Sequence, residues 1–283
     1  MIRGQRLKDG PINAGGNISS QFISALLLAR PLWSSHTDDS NSDPEITNGT
    51  VSRPYIEMTL RVMEQFESRP DRYLIESDWS AAGYFYELAL AQPGRRLTIQ
   101  SLTDPAVSIQ GDSKCQALFG WLGVETTRLD SDPDGAVVLT GNPDIIARNK
   151  RLGIPMTFDL GDTPDLTPAL AAGMCLAALP FKLENLRHLR HKESDRLISI
   201  SAELGKAGFA VEATDSELQW DGRRYPVHDD ETYESWGDHR IAMAMAIMAV
   251  KLRWLGIKDG EVVSKSFADY YGQLRRIGFD IKF

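Results

Sequence analysis

The 283-residue chain carries 31 basic against 39 acidic side chains, a formal net charge of -8, with 42% hydrophobic residues. This composition supplies the cores of one large or two smaller globular domains and argues against a broad nucleic-acid or anionic-membrane surface, so an anionic ligand has to be held in a local cationic pocket. No apolar signal core opens the chain, and the longest apolar run, Ala169 to Phe181, is interrupted by Pro180 and too short to span a bilayer, which points to a soluble, cytoplasmic protein.

In chain order, four segments share one plan, small or polar residues followed by a strongly apolar helical stretch: GNISSQFISALLLAR, SDWSAAGYFYELALAQ, PDLTPALAAGMCLAALP and WGDHRIAMAMAIMAV. Ser19 or Ser20, Asp78 or Ser80, Thr167 ahead of Pro168, and Asp238 offer helix-start chemistry, and Pro31, Pro93 and Pro180 offer stops. Apolar nearly all round, these helices belong in the interior. Amphipathic helices alternate with them, YIEMTLRVMEQF, KCQALFGWLGV, RLISISAELGKAG and FADYYGQLRRIG, each followed by a strand-like run such as FAVEA or FDIKF. Cys115 and Cys175 fall inside apolar helical patterns without metal-ligand spacing, which suits small buried side chains in a reducing compartment and not a zinc site. The pattern predicts an α/β protein of four repeated units, each with two helices and several short strands. The polar stretch from Ser34 to Thr50 reads as an irregular loop leading to a strand, and its sequon at Asn48 as incidental. The strand-like YLIESD ahead of Asp78 marks a boundary, giving domains at 1–75 and 76–283.

Charge gathers at the predicted helix starts. Free amides and the partial positive charge of a helix N-terminus attract phosphates and carboxylates, and several buried helices aimed at one cleft would concentrate that potential. Ser19, Ser20 and Gln21 stand at the first start and Arg240 at the last, while HLRHKESDRL, His188 to Leu197, opens another. Lys192 and Arg196, four residues apart, are expected on one helical face, where they can grip one anion together. The bland alternative makes Arg190, Glu193, Asp195 and Arg196 a solvated salt-bridge network, Asp238 only a cap, His239 a surface histidine and Asp165 a turn residue before Thr167. That all of them fall at equivalent points of a repeated unit favours a site.

At these residues the chain resembles the enolpyruvyl transferases, in the branch that acts on shikimate 3-phosphate. The matching stretches are SSQFISALLL, VSRPYIEMTL, the aspartate of SDWSAAGYF, DLTPALA, HKESDRL, GDHRIAMA and SKSFADYY, in the family's order over nearly the whole chain. The resemblance implies two domains, each of three βαβαββ units with buried parallel helices. Four of the six units would be present, one in the first domain and three in the second. The family carries two further units upstream of SSQF, so the chain is expected to be N-terminally truncated and impaired alone.

The resemblance also implies the reaction: the enolpyruvyl group moves from phosphoenolpyruvate to the 5-hydroxyl of shikimate 3-phosphate, through a tetrahedral intermediate, with release of phosphate. It assigns Ser19, Ser20 and Ser52 to the shikimate phosphate, Gln21 to both substrates and Tyr55 to the neighbourhood of the ring. Arg196, Arg240 and Lys265 take the phosphate and carboxylate of phosphoenolpyruvate. Asp165 orients or deprotonates the hydroxyl, and Lys192 and Glu193 handle protons, each with a tuned pKa. His188 stands where the family often has an asparagine on the shikimate phosphate. Trp79 replaces a small residue, and Arg53, His191 and His228 receive no role. No metal or organic cofactor is implied. The partners are the two small substrates, without nucleic acid or membrane, and the full-length protein is expected to be a monomer. The rivals are the sister transferase acting on UDP-N-acetylglucosamine and a noncatalytic anion-binding fragment.

Overall fold

The structure is a computed structural model describing residues 13–15, 19–29, 45–47, 52–68, 75–129, 135–227, 231–252 and 254–283. Pro31, most of the 34–50 loop with Asn48, and His228 lie outside these residues. The chain divides into two compact units, Met1–Ile75 with Ile109–Gly111, and Glu76–Ser108 with Asp112–Phe283. Among the described residues no helix is long and apolar enough to cross a membrane.

In the first unit, β1 (Asn13–Gly15) pairs in parallel with β2 (Glu45–Thr47), Asn13 opposite Glu45. Helices α1 (Ser20–Ala29) and α2 (Arg53–Glu67) pack through Ile23, Leu27 and Ile56. The Thr59 hydroxyl donates to Ser24 Oγ at 2.9 Å, tying the two helices beside that apolar seam.

The second unit is organised around three helices that are buried nearly all round: α3 (Trp79–Ala91), α6 (Thr167–Ala177) and α8 (His239–Ile247). Their apolar faces leave no polar stripe, so only an interior position removes them from water. Trp79 is fully buried, its ring centroid 6.3 Å from that of Tyr86. Around this core the chain runs through β3 (Arg96–Ile99), α4 (Cys115–Leu122), β4 (Val124–Arg128), β5 (Val137–Gly141), α5 (Pro143–Leu152), β6 (Met156–Asp159), β7 (Phe181–Glu184), α7 (Arg196–Lys206), β8 (Glu212–Ala213), β9 (Leu218–Trp220), β10 (Thr232–Glu234), β11 (Gly256–Lys258) and α9 (Tyr270–Arg276). One βαβαββ unit is complete among the described residues, β6–α6–β7–α7–β8–β9. Its sheet has the order β6-β7-β9-β8, with β6 and β7 parallel and the other pairings antiparallel. The preceding unit has an antiparallel sheet β3-β5-β4, and the last a parallel pair β10-β11.

Several local expectations need correction. Ile75–Asp78 form no strand; Asp78 instead caps α3, accepting from the amides of Ser80 and Ala81 at 2.8 and 3.3 Å. Thr167 does not cap α6, because a 3-10 turn over Pro164–Leu166 precedes it and makes Leu166 the flanking residue. FDIKF forms no ladder: Phe279 N donates to Leu274 O, Arg275 to Ile281 O, and the Phe283 ring packs edge-on against Tyr271, so the segment folds back on α9. Of FAVEA, only Glu212 and Ala213 are strand. Helix α5 escapes a reading based on apolar repeats because its surface is mostly polar. Its own signals are clear nonetheless: an Asn142 cap, Pro143 at the first turn, Lys150 and Arg151 in the last, and Gly153 at φ 64° beyond it.

Within this core Glu87 of α3 is fully buried, and neither carboxyl oxygen has a hydrogen-bond partner. It faces Gly173 of α6, where a Cβ would lie 3.3 Å from Glu87 Cγ. Burial drives its pKa well above the ordinary value of 4.5. The folded state therefore keeps a proton that the unfolded state has lost above pH 4.5, so this carboxyl's contribution falls as pH rises. In urea titrations, wild type should lose stability relative to Glu87→Gln at up to about 1.4 kcal/mol per pH unit above that point. A difference that is flat with pH would contradict the assignment.

Candidate active site

Asp165 sits in the 3-10 turn that leads into α6, and its carboxyl collects three cations from elsewhere in the second unit. Arg196 Nη1 donates to Oδ1 at 2.7 Å, Arg240 Nη2 to Oδ2 at 2.8 Å, and Lys192 Nζ lies 3.5 Å from Oδ1. These cations come from the starts of α7 and α8 and from the link before α7, so the beginnings of three successive helices meet at one carboxylate. Lys192 is not on a helical face with Arg196 as expected from spacing. It follows a 3-10 turn over Arg187–His191, and α7 begins only at Arg196. An irregular link, not helical periodicity, brings the two cations to the same acid.

Arg196 is the centre of the arrangement. Its guanidinium, 2% exposed, also donates from Nε to Asp238 Oδ2 at 2.7 Å and from Nη2 to Glu193 Oε2 at 2.6 Å. Its planar fork of five donors is suited to such multiple carboxylate contacts. Asp238 is more than a cap: besides accepting from the Arg240 amide at 2.9 Å and the Ser194 hydroxyl at 3.1 Å, it fixes Arg196. Lys265, at the end of the 3-10 segment Gly260–Lys265, reaches Glu193 Oε1 at 2.6 Å. Four cations and three carboxylates thus share one cluster.

The electrostatics follow from that inventory. Burial works against ionisation of Asp165, but the Arg240, Arg196 and Lys192 cations outweigh it and hold the carboxyl well below its ordinary range. Glu193 is likewise opposed by burial, yet the Lys265 hydrogen bond and the Arg196 charge bring it down to about 2. Arg196 loses solvation and gains Asp165 and Asp238, with a net rise. Burial and the adjacent Lys192 cation push His188 down to about 4, leaving a neutral imidazole whose buried Nε2 has no partner. His239 is buried rather than on the surface, its Nδ1 4.0 Å from Glu193 Oε1; burial and Arg240 lower its pKa.

Arg190 and Asp195 of HLRHKESDRL form a separate ion pair. Arg190 donates to Asp195 Oδ2 at 2.7 Å and to the carbonyls of Thr214 and Asp215, anchoring the helix cap to the β8–β9 hairpin. Site and salt-bridge network are therefore interleaved, with Lys192, Glu193 and Arg196 on one side and Arg190 and Asp195 on the other. Tyr84 of α3, which no motif flagged, is fully buried under the influence of Arg240 and Arg196; burial raises its hydroxyl pKa despite those cations.

The remaining predicted residues belong to the first unit. Ser19 Oγ accepts from the Gln21 amide at 3.2 Å, and Ser20 is buried. Ser52 precedes α2 at φ 53° and ψ 43°, the left-handed region, 3% exposed and with no cap bond from its side chain. A non-glycine residue held there stores strain that recurs at binding sites. Its carbonyl accepts from the Tyr55 amide at 3.1 Å, fixing Tyr55 in the first turn of the helix.

The family model described as EPSP synthase (3-phosphoshikimate 1-carboxyvinyltransferase) matches residues 67–274. The 3-phosphoshikimate 1-carboxyvinyltransferase of Bacteroides fragilis (strain YCH46) is 33% identical over 99% of this chain and 68% of its own length. That of Methanopyrus kandleri is 31% identical over 99% of this chain and 64% of its own length. The solved EPSP synthase from Acinetobacter baumannii superposes with a TM-score of 0.53 at 20% identity, covering 74% of this chain and 47% of that one; at that identity the likeness establishes the fold. The mixed α/β architecture is that of the enolpyruvyl transferases, and the chain belongs to the EPSP synthase family.

Proposed function

We propose that the protein transfers the enolpyruvyl group of phosphoenolpyruvate to the 5-hydroxyl of shikimate 3-phosphate, releasing inorganic phosphate. The observation that carries this reading is the convergence of Lys192, Arg196 and Arg240 on Asp165. Phosphoenolpyruvate brings a phosphate and a carboxylate, and the cations now balanced by Asp165 and Glu193 are the chemistry that would receive them. In this reading Arg196, Arg240 and Lys265 bind the donor. As the ligand's anions engage the arginines, the Asp165 pKa rises from its depressed value toward the range where it can accept the hydroxyl proton. The hydroxyl oxygen bonds to C2 while the methylene carbon takes a proton. In collapse that carbon returns a proton, the C–O bond to phosphate breaks and the double bond re-forms. In this reading Lys192 and Glu193 exchange those protons.

Ser19, Ser20, Gln21, Ser52, Tyr55 and His188 are assigned to the substrates on the likeness of their motifs, with the buried, strained Ser52 as the structural support. His188, neutral and with an unspent nitrogen, can donate or accept where asparagine is usual. A cytoplasmic, monomeric enzyme without nucleic-acid partner or cofactor completes the proposal, supported by the net charge of -8. The test is phosphate release by the full-length gene product. Release should require both phosphoenolpyruvate and shikimate 3-phosphate and should not occur with UDP-N-acetylglucosamine as acceptor. Release with the sugar nucleotide, or with neither acceptor, would reject the reading.

A further inference from the structure

We propose that Glu203 is a positioning residue that sets the separation between Arg196 and the Asp238–Arg240 pair, and so shapes the anion site from two helical turns away. Glu203 is fully buried on α7, the helix whose first residue is Arg196. Seven residues along a helix return to nearly the same face, so the two side chains project from one side of α7. Both carboxylate oxygens are occupied. Oε2 accepts from the Glu234 amide at 3.0 Å and Oε1 from Trp236 Nε1 at 2.8 Å, while Lys206 Nζ lies 3.1 Å from each. Lys206 also reaches the Thr232 carbonyl at 3.3 Å.

These contacts grip the segment that delivers Asp238 and Arg240. Trp236 and Gly237 are consecutive left-handed residues, at φ 57° and φ 64°. That conformation is strained for a non-glycine residue, and Trp236 is 45% exposed, so its packing does little to hold it. The indole bond to Glu203 and the amide bond from Glu234 hold the entry to the turn. Immediately after it, the Asp238 amide donates to the Ser235 carbonyl at 3.0 Å, and the Asp238 carboxylate meets Arg196. Glu203 therefore closes a frame in which α7 contributes Arg196 at one end and holds the approach to α8 at the other. A buried carboxylate bound by backbone, indole and lysine donors on one defined turn is chemistry for geometry, not for contact with a ligand.

The link to phosphoenolpyruvate rests on the function proposed above; the link to the turn does not. Hydrogen exchange of the intact protein should show amides 234–240 opening about tenfold faster in Glu203→Ala, with α3 and α6 amides unchanged. Glu203→Gln, which keeps one acceptor, and Trp236→Phe, which removes only the indole donor, should fall between; they also serve if Glu203→Ala does not fold. Calorimetric titration with phosphoenolpyruvate should then show affinity falling in the same order, by about tenfold in the alanine variant. Unchanged exchange at 234–240 in all three variants overturns the proposal, as does faster exchange with affinity within twofold of wild type. Uniformly faster exchange across α3 and α6 would make Glu203 merely structural and overturn it too. If wild type binds no phosphoenolpyruvate, the functional reading fails, and the exchange data alone decide whether Glu203 holds the turn.

Discussion

Arg196→Leu should unfold in urea with about 3–5 kcal/mol less free energy than wild type, the cost of leaving buried charges without their partner. At 2% exposure Arg196 gives its three carboxylate partners little solvent to fall back on, and Asp238 is completely buried. Arg196→Lys would retain the charge and lose the fork, recovering only part of the deficit. The pH dependence has a definite sign. The folded Glu193 pKa, about 2, lies below its ordinary 4.5, and Asp165 lies well below 3.8. Their contribution is therefore present above pH 4.5 and is lost as the pH falls through the folded values. The gap between wild type and Arg196→Leu should accordingly narrow on acidification. A gap that widened, or a variant as stable as wild type at neutral pH, would remove Arg196 from the centre of the cluster.

Lys192→Met is expected to behave differently, lowering turnover of the full-length protein by about 10²–10⁴-fold, the usual worth of a positioned proton-transfer group, while costing less stability than Arg196→Leu. The asymmetry follows from geometry. Lys192 holds Asp165 at 3.5 Å, a looser contact than the 2.7 and 2.8 Å bonds of the two arginines. Asp165 stays paired without it. Steady-state rates with both substrates, paired with urea midpoints, would separate the two effects, and a Lys192→Met enzyme of undiminished rate would withdraw the assignment.

The interior helices are legible because their apolar character admits only one location, and the motifs at their starts carry the residues of the candidate site. Asp165, Lys192, Glu193, Arg196, Arg240 and Lys265 do come together in the second unit. What spacing misrepresented was the means. Lys192 and Arg196 meet through an irregular link, which no periodicity encodes, and the role of Asp238 beyond capping depends on a guanidinium 42 positions away in sequence. Tyr84 and Glu203 were invisible for a related reason, since each looks like an ordinary member of its helix until its neighbours from other helices are known. Strands are the least legible elements: FDIKF has the alternation of a strand, but the segment folds onto α9 instead of a partner strand.

The most direct measurement is a crystal structure of the full-length protein with phosphoenolpyruvate. Its phosphate and carboxylate should lie within hydrogen-bonding distance of Arg196, Arg240 and Lys265, with at least one of the present Asp165 or Glu193 contacts exchanged for the ligand. Phosphoenolpyruvate bound elsewhere, with Asp165 still holding both arginines, would contradict that placement.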